Sequence, residues 1–161
     1  MMRLGLTLCV LAFALPAAAR DSLGIYGGWG AFADDGGTCY AIARASPSQR
    51  SREVTPYATV STWPRRSVRG QVHVRLSRSI GKNSPVVLAI SDRRFALTGG
   101  GNNAWSEDAQ MDAAIVAAMR SASRMTVSAR DRRGRRFSDS YTLDGAATAM
   151  DAAAVACARR R

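Results

Sequence analysis

Residues 71–78 constrain the fold more tightly than any other segment. Val72, Val74 and Leu76 occupy alternate positions, with Gln71, His73, Arg75 and Ser77 between them. A period of two with one apolar and one polar face is the pattern of a half-buried strand. A sheet with one wet face is antiparallel far more often than parallel. The neighbouring segments agree. Residues 25–32, 39–43, 57–63, 86–91, 95–97, 125–130 and 137–143 also carry strand composition, and turn residues such as Asp34-Asp35-Gly36-Gly37, Ser46-Pro47-Ser48 and Gly81-Lys82-Asn83 separate several of them. Most joins are too short for the crossover that a parallel pair needs. About seven strands therefore imply a mainly β fold, an antiparallel β-sandwich or flattened barrel.

Two segments break the period. Met111, Ile115, Ala118, Met119 and Ala122 recur at helical spacing. Ser106 is placed to cap that helix, with Glu107, Asp108 and Asp112 near its positive end and Arg120 and Arg124 near its negative end. Gly99 to Asn103 before it reads as a flexible loop. After Gly145 an alanine-rich stretch reaches Ala158 and ends in Arg159-Arg160-Arg161, which suits a helix C-terminus. The sequence thus predicts two short peripheral helices, at about 107–121 and 146–158.

The N-terminus is an export signal in form. Arg3 precedes an uncharged run from Leu4 to Leu15, and Pro16-Ala17-Ala18-Ala19 closes it with an Ala-x-Ala site. The run falls short of the about 20 apolar residues that a membrane span needs. Residues 1–19 are read as a signal peptide cut after Ala19, and residues 20–161 as a single domain. Cleavage removes Cys9 and leaves Cys39 and Cys157, separated by 118 positions. An even count in an oxidising compartment reads as one disulfide, the alternative being two free thiols.

The formal net charge is +11, carried almost wholly by arginine, with Lys82 the single lysine. Export turns that charge away from nucleic acid and toward an anionic envelope or host surface, including peripheral membrane contact. Arg130, Arg132, Arg133, Arg135 and Arg136 crowd one hairpin tip, and Arg65, Arg66 and Arg69 form a second group. These are the candidate anion-binding residues, weighed against ordinary solvated turns. No aromatic residues are interleaved with them, so a base-stacking platform is not indicated.

Catalytic and metal chemistry find little support. His73 is the single histidine, and as a strand residue it reads first as exposed. No Gly-x-Ser-x-Gly elbow accompanies it. One histidine and two cysteines cannot make a zinc site. Asp34-Asp35 lacks the rest of a calcium loop. Gly99-Gly100-Gly101 has no Gly-Lys-Ser/Thr after it. No cofactor is implied. Trp29, Trp63 and Trp105 read as core plugs, or as a binding surface if two of them are exposed.

An ordered set of segments then resembles a known family. Gly27-Gly28-Trp29-Gly30-Ala31-Phe32-Ala33-Asp34 is followed by Cys39-Tyr40-Ala41. Later come Met111 to Arg120, Met125-Thr126-Val127-Ser128, Tyr141-Thr142-Leu143-Asp144-Gly145, Ala149-Met150-Asp151-Ala152 and Cys157. Over about residues 24–158 this order resembles the invasion-associated locus B family of exported alphaproteobacterial proteins. The resemblance implies a periplasmic or outer-membrane-associated β-sandwich without known enzymatic activity and with no catalytic residues to carry over. The leading expectation is a non-enzymatic exported envelope protein that binds an anionic surface through its basic loops. Two alternatives stand beside it. A periplasmic hydrolase would place His73 in a cleft beside a carboxylate. An inhibitor or chaperone-like binder would show an exposed tryptophan patch.

Overall fold

The computed structural model describes residues 20–48 and 52–159. Among them are ten strands and two helices. In chain order these are β1 (Arg20–Tyr26), β2 (Trp29–Asp34), β3 (Cys39–Arg44), β4 (Tyr57–Trp63), β5 (Val68–Arg75), β6 (Val86–Ile90), β7 (Arg93–Gly100), β8 (Asn103–Trp105), α1 (Ala109–Ser121), β9 (Arg124–Arg130), β10 (Arg136–Thr142) and α2 (Ala146–Arg159). The strands form one unclosed antiparallel sheet in the order β1-β2-β3-β4-β5-β8-β7-β6-β9-β10. The mainly β, antiparallel reading with two helices therefore holds. The N-terminal segment 1–19 with its cleavage site, and Arg160 and Arg161, lie outside the described residues.

One face of the sheet makes the core. Ala41 and Ala43 of β3 sit beside Val60 and Ala58 of β4, and these beside Val72 and Val74 of β5. The far half supplies Val86, Leu88, Ile90, Phe95, Leu97, Met125, Val127, Phe137 and Tyr141 to the same cluster. The two halves meet through specific bonds. Trp29 Nε1 donates to the carbonyl of Thr142 at 2.9 Å, the Ser46 N–H donates to the carbonyl of Ser140 at 2.7 Å, and the Ser77 N–H donates to Oδ2 of buried Asp139 at 2.8 Å. Burying both halves of one inner face against each other removes from water the apolar surface that an open ten-stranded sheet would leave exposed.

The helices complete the inner face. α2 packs on β1 to β4 through Ala146, Ala149, Met150, Ala153 and Cys157, a one-sided stripe. Its Cys157 forms a disulfide to Cys39, with Cα atoms 5.7 Å apart. α1 packs on β5, β6 and β7. Buried Asp112 in its first turn accepts the Val72 N–H at 2.7 Å and the hydroxyl of Ser106, which fastens the helix start to β5.

The structure departs from the sequence reading at three places. Residues 25–32 are not one strand: Gly27 and Gly28 turn the chain between β1 and β2, with Gly27 at φ +52°. Residues 99–103 are not a flexible loop. Gly99 and Gly100 end β7, Asn103 opens β8, and Gly101-Asn102 is the tight turn between them, with Gly101 at φ +61° and Gly100 paired to Asn103. Strand β8 has only three residues, too few for an alternation to register. Finally, the α1 cap is Asp108, whose carboxylate accepts the Met111 N–H at 2.7 Å. Ser106 serves Asp112 instead.

Candidate functional site

The β9–β10 hairpin is organised by an acid that the arginine count conceals. Asp131 opens its turn and is 3% exposed. Its Oδ1 accepts the backbone N–H of Arg133 and of Arg135 at 2.9 and 3.0 Å. Its Oδ2 accepts Arg135 Nε at 2.9 Å and Arg78 Nη1 at 3.1 Å. Burial alone would raise the pKa of this carboxyl. The bonds from Arg135, Arg133 and Arg78 outweigh burial and hold it at about 2. The tip is therefore a braced turn with its own counter-charge rather than a prong of five uncompensated guanidinium groups.

Beyond the tip the alternation of β9 and β10 sorts the side chains. Met125, Val127, Ala129, Phe137, Asp139 and Tyr141 point inward. Arg130 and Arg136, direct cross-strand partners, belong to the outward set with Ser128 and Ser138, also partners. Arg130 Nη1 donates to the Gly134 carbonyl at 2.9 Å, which holds its guanidinium near the turn. Arg94 of β7 joins this pair. The three arginines, Val87, Ser128 and Ser138 line a shallow groove of about 630 Å³ on the outer face of β6, β7, β9 and β10. Among the described residues no carboxylate lines it.

The second basic group is split. Arg65 and Arg66 lie in a short 3-10 turn before β5 and Arg69 lies within β5, while Arg78, outside that group, follows β5 and touches the tip. The eight residues of β5, about 25 Å long, lie between Arg66 and Arg78. Arg66 borders a different groove. Arg69 borders a third, of about 350 Å³ between the helices, beside Arg120. Arg120 is held there by a two-point ion pair to Asp151, at 2.6 and 3.2 Å.

The groove that Arg66 borders runs over the outer face of β3, β4, β5 and β8 and encloses about 890 Å³. It holds His73. The ring is half-buried, with Nε2 3.0 Å from Asn103 Oδ1. Burial lowers its pKa below the ordinary value, the Asn103 bond opposes this, and Arg75 adds to the lowering. Tyr57 meets the imidazole edge-on at a centroid distance of 5.9 Å, and Trp105 lies against it at 5.2 Å. The polar-face histidine of the sequence reading is thus part of an aromatic row. The tryptophans divide: Trp29 is a core plug, while half-buried Trp63 and Trp105, 37% exposed, line this groove.

Sequence reasoning missed Arg94 and the groove partners of His73. Arg94 belongs to no motif of the sequence, and only the pairing of β7, β6 and β9 sets it on the same outer face as Arg130. The outward position of His73 was legible from alternation, but not its neighbours on other strands. Among the described residues no three His, Cys, Asp or Glu side chains could together hold a metal ion, and no helix is long and apolar enough to cross a membrane. The family model described as invasion associated locus B protein matches residues 33–154, well over half of the chain. No curated protein and no solved structure matches it.

Proposed function

The chain belongs to the invasion associated locus B family, and from that premise we propose that it is an exported, non-enzymatic protein of the cell envelope that binds an anionic surface. It works in the periplasm or on the outer membrane. The observation that carries this reading is the convergence of Arg94, Arg130 and Arg136 on one open groove whose described lining contains no carboxylate. Three guanidinium groups with no opposing charge attract phosphate or carboxylate arrays, and planar donor forks bind them bidentately. Serines 128 and 138 between them supply small hydroxyls that let an anionic head approach the sheet closely. The leader-like residues 1–19 and the Cys39–Cys157 bond support export into an oxidising compartment.

The hydrolase alternative draws less support. The ring nitrogen that would serve as a base faces the amide oxygen of Asn103 rather than a serine hydroxyl or a carboxylate.

Vesicle sedimentation tests the proposal. The processed protein is mixed with phosphatidylglycerol vesicles, with phosphatidylcholine vesicles and with lipopolysaccharide aggregates. Retention on either anionic surface, lost as salt rises and lost in the Arg94→Ser, Arg130→Ser, Arg136→Ser triple variant, is the expected result. Equal sedimentation of the variant, or no preference for anionic surfaces, sinks the proposal.

A further inference from the structure

We infer that the aromatic groove over β3, β4, β5 and β8 is a saccharide-binding site, separate from the basic face and independent of the reading above. The register builds it. Ile42, Thr59, His73, Trp105 and Thr98 are successive cross-strand neighbours on five adjacent strands and form one row across the outer face. Trp105 lies against His73 within this row, and Tyr57, in the next row along β4, meets the imidazole edge-on, so that the three rings cluster with centroids 5.2 and 5.9 Å from His73. Clustered aromatic rings offer π surface to the weakly positive C–H face of a pyranose, and neighbouring rings suit neighbouring sugar units.

The rest of the lining fits hydroxyls. Thr59, Ser61, Gln71 and Asn103 carry neutral groups that donate and accept, as sugar hydroxyls do. Charge is confined to Asp34 and Arg66 within the lining, while Arg44 and Arg75 flank Tyr57 on the neighbouring strands. The Asn103–His73 bond fixes the imidazole at the centre of the row. A peptide partner suits the groove less well. The groove lies on the face of a sheet whose strands are already paired on both sides, so it offers no free backbone edge for strand addition.

Nuclear magnetic resonance of the tryptophan indoles tests the site. The processed, disulfide-bonded protein is titrated with maltohexaose, cellohexaose and chitohexaose, and in parallel with an extended Leu- and Tyr-rich hexapeptide. The expected result is that at least one sugar shifts the Trp105 and Trp63 signals and leaves that of Trp29, which is buried and bonded to Thr142. Trp105→Ala should weaken that binding by about tenfold or more. Tyr57→Ala and Asn103→Ala should weaken it too, with the Trp29 signal reporting that each variant folds. These last two carry the test if Trp105→Ala does not fold. Added salt and the three arginine-to-serine changes should leave sugar binding intact, which separates this site from the basic face. No shift with any sugar at about 10 mM, undiminished binding in folded variants, or shifts from the peptide alone would each overturn the assignment.

Discussion

Arg130 and Arg136 stand directly opposite one another across the β9–β10 ladder. Like charges in that position repel and destabilise a hairpin. Arg136→Ser should therefore raise the stability of the fold by about 0.2–1 kcal/mol while weakening retention on phosphatidylglycerol vesicles. Denaturant midpoints and sedimentation, measured on the same preparation, check both halves. A variant that loses stability and keeps its retention would contradict the functional reading of the pair.

Asp131 gives the tip a defined acid sensitivity. Its pKa falls from 3.8 unfolded to about 2 in the fold. A depressed carboxyl stabilises the folded state above its unfolded pKa, and that contribution is lost as pH falls through the folded one. Stability should thus be insensitive to Asp131 from neutral pH down to about 5 and decline between about 4 and 2. In Asp131→Asn the decline over that window should be shallower, with lower stability at neutral pH. Unfolding curves across the range give the comparison, and superimposable slopes would remove Asp131 from the account.

The disulfide ties the last helix to the third strand across 118 residues. Closing so long a loop restricts the unfolded chain strongly. Replacing both Cys39 and Cys157 by Ala should cost about 2–5 kcal/mol, read from chemical denaturation. Both residues are buried, so reductant without denaturant should cleave the bond slowly, and thiol alkylation of the native protein should label neither cysteine. Rapid double labelling would contradict the pairing.

Gly145 sits at φ +80°, and a Cβ placed there would overlap the carbonyl of Tyr26. Gly134 has a similar φ of +74°, but open space around it. Gly145→Ala should cost about 2–5 kcal/mol, joining left-handed strain to a backbone clash. Gly134→Ala should cost only about 1–2 kcal/mol. Thermal or denaturant unfolding of the two variants side by side checks the order. Equal losses would mean that the packing of the β1–β2 turn against the α2 entry contributes nothing.

What could be read from the chain was whatever repeats locally. The alternation of Val72, Val74 and Leu76 marked a one-faced strand, and the spacing of Met111, Ile115 and Met119 marked a helix. Cys39 and Cys157 stood out as a pair because the leader-like start, whose own residues lie outside those described, pointed to an oxidising compartment. The turns that were misread, at Gly27-Gly28 and Gly101-Asn102, flank strands whose alternation is blurred by glycine or cut to three residues. Alternation also sent His73 to the wet face. It is silent on which strand lies alongside, because register is set between strands and not within one. The β5–β8 pairing that lays Trp105 against His73, and the β7–β6–β9 pairings that set Arg94 and Arg130 on one outer face, exist only once the sheet has formed. The buried Asp131 is likewise a tertiary matter: in sequence it is one acid among arginines, and only folding brings Arg78 onto it from 53 positions away. Sequence alone therefore determined the strand chemistry, the one-faced sheet and the overall positive charge. Tertiary structure decided which of those charges are answered within the fold and which face outward together.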